Sequence, residues 1–353
     1  MPSPDLLSWS PTAPSARAAL LPDRFRKWFA ERGWSPREHQ LALLEKARDN
    51  RSALLIAPTG AGKTLAGFLP TLVELASASA ADGKKLVSTG CGVKRGGGLH
   101  TLYISPLKAL AVDIARNLET PIAEMGLPIK VETRTGDTPV SRRQRQRRHP
   151  PDILLTTPEQ LALLLASDDA PYLFSSLKRI VLDELHALVT SKRGDLLSLG
   201  LARLWRIAPG LRAVGLSATV AEPQQLACFL MPQHRGRPTS ADIVVAGGAA
   251  APIVEMLDTK ERLPWAGHSA RHALGEMYEL IKRNRTTLVF VNTRSQAEML
   301  FQDFWRINDD GLAIALHHGS LDVAQRRKVE DAMARARLRA VVCTSSLDLG
   351  IDW

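Results

Sequence analysis

SALLIAPTGAGKTLAGFLPTLVELA, residues 52–76, is the segment from which the architecture of this 353-residue chain can be read outward. It opens on a short apolar run that ends in a Gly/Pro turn, the pattern of a buried strand entering a loop. TLAGFLPTLVELA (64–76) then places apolar residues at helical spacing. Between the two lies APTGAGKT (57–64). A loop that holds phosphate must turn its backbone N–H groups inward, and Gly60 and Gly62 permit the dihedrals this requires. The helix that follows adds the positive end of its dipole. Lys63 is long enough to reach the β- and γ-phosphates of a nucleoside triphosphate, the Thr64 hydroxyl suits Mg²⁺, and Thr59, Gly60, Ala61 and Gly62 complete the cradle. The first position is Ala57, where the pattern ordinarily has Gly.

A phosphate loop of this kind needs an acidic partner on a neighbouring strand. RIVLDELH (179–186) supplies one, an apolar strand ending in Asp183-Glu184. Asp183 is placed to hold Mg²⁺, directly or through water, and Glu184 to orient or deprotonate an attacking water. Together the two segments indicate nucleoside triphosphate hydrolysis.

Around them, short apolar strands alternate with helical stretches. Residues 24–50 read as helical with a turn at Ser35-Pro36. Strand candidates follow at 99–105, 129–136, 152–157, 179–184 and 211–219, then at 286–293, 312–319 and 339–346. This alternation is the signature of parallel sheets covered by helices, the α/β class. Residues 78–99 are polar, Gly-rich and aperiodic and read as a surface insertion, and the Gly/Pro/Ala-rich stretch 236–252 reads as a boundary. The expected organisation is a lead-in over 1–23, a first lobe over 24–238 and a second over 239–353.

Composition narrows the class further. Hydrophobic residues make up 45% and charged residues 23%, an ordinary globular balance that excludes wholesale disorder. No apolar run reaches the ~18–20 residues of a membrane span. The amino terminus lacks the basic and apolar regions of a secretion signal. Cys91, Cys228 and Cys343 are far apart and odd in number, which fits a reducing cytoplasm better than a disulfide framework. The net charge of +10 is unevenly spread: residues 1–240 hold 32 Lys and Arg against 21 Asp and Glu, and residues 241–353 hold 14 against 15. Such asymmetry fits either a polyanionic partner, nucleic acid above all, or a solvated basic surface. The run SRRQRQRRH (141–149), with five arginines, leaves the same two readings open.

The ordered series APTGAGKT (57–64), DELH (183–186) and SAT (217–219) resembles motifs I, II and III of superfamily 2 helicases. SPLKAL (105–110), RTGDT (134–138) and TTPEQL (156–161) resemble the nucleic-acid motifs of the first lobe. VFVNTRSQAE (289–298), HHGSL (317–321) and TSSLDLGID (344–352) resemble those of the second. The combination is most similar to the large helicase-related (Lhr) family, and within it to the bacterial ligase-associated DEXH-box DNA helicases. The resemblance covers roughly residues 24–353.

It implies two RecA-like lobes with ATP and Mg²⁺ bound between them, movement in the 3′-to-5′ direction, a cytoplasmic setting and a link to DNA repair proteins. The implied partner is single-stranded DNA, or a DNA or RNA–DNA duplex with a single-stranded tail. Gln40 matches the position that reads adenine; Phe25, Trp28 and Trp34, near it in sequence, read more readily as core aromatics than as a residue stacked on the base. Ser217, Ala218 and Thr219 match the element coupling the nucleotide site to the nucleic acid, and His186 joins that network. Gly350 and Asp352 match second-lobe residues that approach the nucleotide. The nucleic-acid track would comprise Pro106, Leu107, Lys108, Thr135, Gly136, Thr157, Pro158 and Glu159, continued by Thr293, Arg294, Ser320 and Thr344. Such loop and helix-start groups hold phosphates without reading bases. The arginine-bearing motif VI expected after TSSLDLGID does not precede Trp353, so the second lobe is expected to be incomplete. A nucleic-acid binder that holds ATP but hydrolyses it poorly is the alternative this leaves open.

Overall fold

The structure, a computed structural model, describes residues 19–58, 60–85, 98–218, 220–234, 238–247, 253–259, 270–344 and 347. The chain divides into two compact units, residues 1–248 and 249–353.

In the first unit the described elements are α1 (Asp23–Glu31), α2 (Glu38–Arg48), β1 (Ala53–Ile56), α3 (Lys63–Lys85), β2 (Thr101–Ile104), α4 (Lys108–Glu124), β3 (Val131–Arg134), α5 (Val140–Arg148), β4 (Ile153–Thr156), α6 (Pro158–Leu165), α7 (Ala170–Phe174), β5 (Arg179–Leu182), α8 (Leu185–Val189), α9 (Lys192–Ile207), β6 (Arg212–Ser217), α10 (Pro223–Phe229) and β7 (Asp242–Val245). The strands form one sheet in the order β3-β4-β2-β5-β6-β1-β7, and every pairing is parallel. The inner strands β1, β2, β4 and β5 are buried along their whole length, which is why they read as mostly apolar runs, with Thr101, Thr156 and Arg179 at their ends.

Alternation within those runs feeds two cores. Ala53, Leu55, Tyr103, Val181 and Leu216 pack with Phe68, Leu69 and Leu72 of α3 and with Ile114 and Leu118 of α4. Leu54, Ile56, Leu102, Ile104, Ile180 and Leu182 point to the opposite core and meet Leu161 of α6, Phe174 of α7 and Leu197 and Leu201 of α9. The sheet is therefore covered on both faces, as parallel sheets require.

Two expectations need adjusting. The helix after the phosphate loop continues to Lys85, so the first part of the 78–99 stretch is helical. Its ASASAA sequence is rich in alanine, the residue that resists the helix least. Residues 86–97 lie outside the described residues. The stretch 236–252, read as a boundary, contains β7, which pairs with β1 in register from Ala53–Asp242 to Ile56–Val245. Asp242 is tied there to Lys46 at 2.9 Å and to Arg51. A four-residue strand flanked by Gly and Pro gives little local signal; the free edge of β1 is what recruits it.

The second unit holds α11 (Leu274–Arg283), β8 (Thr287–Phe290), α12 (Arg294–Arg306), β9 (Ile314–His317), α13 (Val323–Ala334) and β10 (Ala340–Cys343). Its sheet is parallel, in the order β8-β10-β9. Tyr278, Ile281, Leu300, Phe304, Ala340 and Val342 make its main core.

Candidate active site

In open parallel sheets, ligands collect outside the carboxyl ends of the strands. In the first unit this edge is divided between two sets of residues. The phosphate loop follows β1, Asp183-Glu184 follows β5, and Ser217 ends β6, and these three strands are neighbours. Pro106–Lys108 follow β2, Thr135-Gly136 follow β3, and Thr157–Glu159 follow β4, three strands adjacent on the other side. Topology alone thus brings the nucleotide motifs together and lines up the nucleic-acid motifs beside them.

The loop has the backbone its chemistry needs. Gly60 and Gly62 stand at φ +76° and +71°, the left-handed region open to glycine. Three successive loop carbonyls face partners from the start of α2. Arg37 Nη1 donates to Gly60 O at 3.1 Å, the His39 Nε2 pairs with Ala61 O at 2.8 Å, and Gln40 Nε2 lies 3.5 Å from Gly62 O. These contacts hold the loop in shape, and a turn bond from the Ala61 N–H to Pro58 O at 3.2 Å adds to them. Burial, the largest influence on His39, lowers its pKa, so the ring is neutral at pH 7 and gives Ala61 its Nε2 proton. Arg37 and His39 carry no motif signal, and sequence reading passes over both.

Gln40 is 4% exposed and braces the same loop. Its Oε1 accepts the Arg37 N–H at 2.9 Å while Nε2 faces Gly62. One lone pair and one N–H are left over for a base. Of the three aromatics considered for stacking, Phe25 and Trp28 are core residues, and Trp34 is 51% exposed. The Arg32 guanidinium lies over both Trp28 and Trp34, 5.2 and 4.9 Å from their ring centres.

Lys63 begins α3, and its ammonium is buried with no hydrogen-bond partner among the described residues. The carboxylate of Glu184 approaches no closer than 3.9 Å. A buried cation left without a hydrogen bond is costly. An anion in the loop would supply the bond, and this is the observation by which the site fits a nucleotide's phosphates. Among the described residues no three His, Cys, Asp or Glu come together as a metal cage. Mg²⁺ in phosphate loops needs no cage, since one or two protein ligands suffice when phosphates and water complete the shell. Thr64 and Asp183 fit that pattern.

Asp183 is almost wholly buried at the end of β5. Burial first, and then the neighbouring Glu184 charge, push its carboxyl up to about 6. Its Oδ2 accepts the Tyr103 hydroxyl, and its Oδ1 accepts the Glu184 N–H at 3.0 Å. Glu184 adopts φ 46°, ψ 45°, a left-handed backbone that costs a residue with a Cβ about 1 kcal/mol or more. The bond from its N–H to Asp183 helps to hold this turn, which starts α8 and sets the Glu184 and His186 side chains side by side. His186 Nδ1 lies 3.6 Å from Glu184 Oε2 and 3.2 Å from the Ser217 hydroxyl. Burial and then Lys63 lower the His186 pKa, so the ring is neutral at pH 7 and works as a hydrogen-bonding link. Ala218 follows Ser217; Thr59, Thr219, Gly350 and Asp352 lie outside the described residues.

Several of the residues expected to line a nucleic-acid track stand at helix starts, and the rest in loops after strands. Leu107 caps α4, Thr157 caps α6 with Pro158 behind it, and Thr293 caps α12, where its hydroxyl accepts the Gln296 N–H at 3.2 Å. Thr135 is buried and Gly136 exposed, while Glu159 is paired with Arg193. Thr293-Arg294, Ser320 and Thr344 follow β8, β9 and β10, at one edge of the second sheet.

The arginine run proves to be largely committed within the protein. Arg142 and Arg145, with Lys130 and Gln146, surround the buried Glu132. Arg143 donates to the carbonyls of Thr135 and Gly136, and Arg147 pairs with Asp169 at 3.0 Å. The run braces β3 and the loop after it.

Residues 37–226 match the family model of DEAD/DEAH box helicases, and residues 270–353 match the helicase conserved C-terminal domain. An Lhr helicase and probable uracil glycosylase of Mycolicibacterium smegmatis is 34% identical over 93% of this chain and 23% of its own length. The ATP-dependent helicase Lhr-Core of Methanocaldococcus jannaschii is 33% identical over 94% of this chain and 39% of its own. The chain thus spans about a quarter to two-fifths of these relatives. The structure of M. smegmatis helicase Lhr bound to ssDNA and AMP-PNP matches 95% of this chain and 43% of that one, at 34% identity and a TM-score of 0.72.

Proposed function

The chain belongs to the DEAD/DEAH-box helicases of superfamily 2, on their Lhr side, and from that premise we propose that it is an ATP-driven motor acting on single-stranded DNA. Lys63 carries this proposal, because its buried ammonium stands at the mouth of a phosphate loop with no hydrogen-bond partner among the described residues.

In this reading Lys63 holds the β- and γ-phosphates and the loop N–H groups cradle them. Mg²⁺, held by Thr64 and Asp183 with phosphate oxygens and water, would neutralise charge developing on the transferred phosphoryl group. Glu184 orients the attacking water and takes its proton. His186 and Ser217 link that carboxylate to the end of β6, a route by which the state of the nucleotide reaches the strand edge. Thr135, Thr157, Thr293 and their neighbours contact sugar and phosphate, so the motor has little sequence preference. The M. smegmatis relative, solved with single-stranded DNA and an ATP analogue, supports both ligands. Work in DNA repair is part of the same proposal.

The test is ATP turnover by this chain, and by a chain carried on through motif VI, with and without single-stranded DNA. Turnover that rises with DNA in either form is expected. DNA binding with no hydrolysis in both forms refutes the motor and leaves a binding module.

A further inference from the structure

Tyr103 is wholly buried at the centre of the first unit's sheet, on β2 beside β5. A hydroxyl in such a place needs a partner, and this one donates to Oδ2 of Asp183. Its ring stacks on Phe68 of α3, with centroids 5.0 Å apart and planes 21° from parallel. Phe68 stands on the same helix as Lys63 and Thr64, about one turn further on. Tyr103 therefore touches Asp183 directly and the helix of Thr64 through Phe68. Its ring packs on the helix that carries Thr64, and its hydroxyl grips the carboxylate that follows β5.

Asp183 has one oxygen on its own neighbour's N–H and the other on Tyr103, so the two bonds leave the carboxylate no freedom to rotate. Remove the hydroxyl, and the plane of the carboxylate is held from one side only. We propose that Tyr103 is a positioning residue for the divalent cation, setting the orientation in which Asp183 meets it. This rests on the ATP–Mg²⁺ reading above. Partners that orient a metal's ligands typically change metal affinity by about 10–100-fold when removed.

Tyr103→Phe isolates the hydroxyl, because the ring stays to pack on Phe68. The measurement is the affinity of the chain for a fluorescent, non-hydrolysable ATP analogue, in EDTA and across a Mg²⁺ titration. Electron paramagnetic resonance of bound Mn²⁺ serves as a second readout. The variant is expected to bind the analogue in EDTA as wild type does, and to need about tenfold more Mg²⁺ or above for half of the metal effect. An unchanged Mg²⁺ midpoint overturns the proposal. So does an equal loss of affinity with and without metal, which is what a packing defect produces. If wild-type binding ignores Mg²⁺ altogether, the metal-site reading fails and the proposal goes with it.

Discussion

Replacing Asp183 by asparagine should make the ligand-free chain more stable at neutral pH while it removes a ligand the proposed chemistry needs. The side chain sits almost fully buried, beside Glu184, and its carboxyl is pushed up to about 6 from an ordinary 3.8. A carboxyl whose folded pKa exceeds its unfolded one keeps its proton in the native state after the unfolded chain has lost it. Stability therefore falls as pH rises from 3.8 to about 6, and stays lower above that. At 1.36 kcal/mol per pH unit, the full effect is about 3 kcal/mol.

Asparagine keeps the shape and escapes the charge. Its carbonyl can accept the Glu184 N–H and its amide can donate to the Tyr103 oxygen, since a phenol is both donor and acceptor. The assay is urea unfolding of wild type and Asp183→Asn without nucleotide or metal, from pH 4 to 8. The variant should lead by up to about 3 kcal/mol at pH 7.5, and the lead should shrink as pH drops through 6. A variant that is less stable at pH 7.5, or a difference that does not change with pH, refutes the argument that burial and Glu184 disfavour the ionised carboxyl.

Lys63→Ala removes the buried ammonium and should weaken nucleotide binding about 10–150-fold, the value of a hydrogen bond to a charged group; unaltered affinity in a titration ends the phosphate-loop assignment. Glu184→Gln should leave nucleotide affinity within about twofold and abolish turnover, so retained hydrolysis in single-turnover assays takes Glu184 out of the base role. His39→Ala frees the Ala61 carbonyl, and a lost neutral hydrogen bond of about 1 kcal/mol should lower nucleotide affinity roughly fivefold. Identical affinity would mean that the loop keeps its form without that anchor.

Much of this molecule is legible in its sequence because the signals are local. A glycine-bearing loop between an apolar strand and a helix has few other uses, and DELH marks the end of a buried strand by the change from apolar to charged residues. Each of the strands read from the sequence appears in one of the two parallel sheets. The helix after the phosphate loop was readable in kind though not in length, since alanine continues a helix without contributing an apolar stripe.

The remainder depends on residues distant in sequence. Strand order places Tyr103 against Asp183, eighty positions later, and a tyrosine in an apolar run looks like any other core aromatic until that neighbour is known. Arg37 and His39 stand at the start of a helix with nothing local to mark them; only the folded loop brings its carbonyls to them. The arginine run reads equally as a phosphate-binding patch or a solvated face, because its counter-charge, Glu132, is on another element and buried. Composition and motif spacing, then, determine the class of fold and the kind of chemistry, since both are written in consecutive residues. Which groups are desolvated, which carboxylates repel and which donors hold the loop are decided by tertiary packing, because the dielectric and the hydrogen-bond partners of a side chain belong to its neighbours in space.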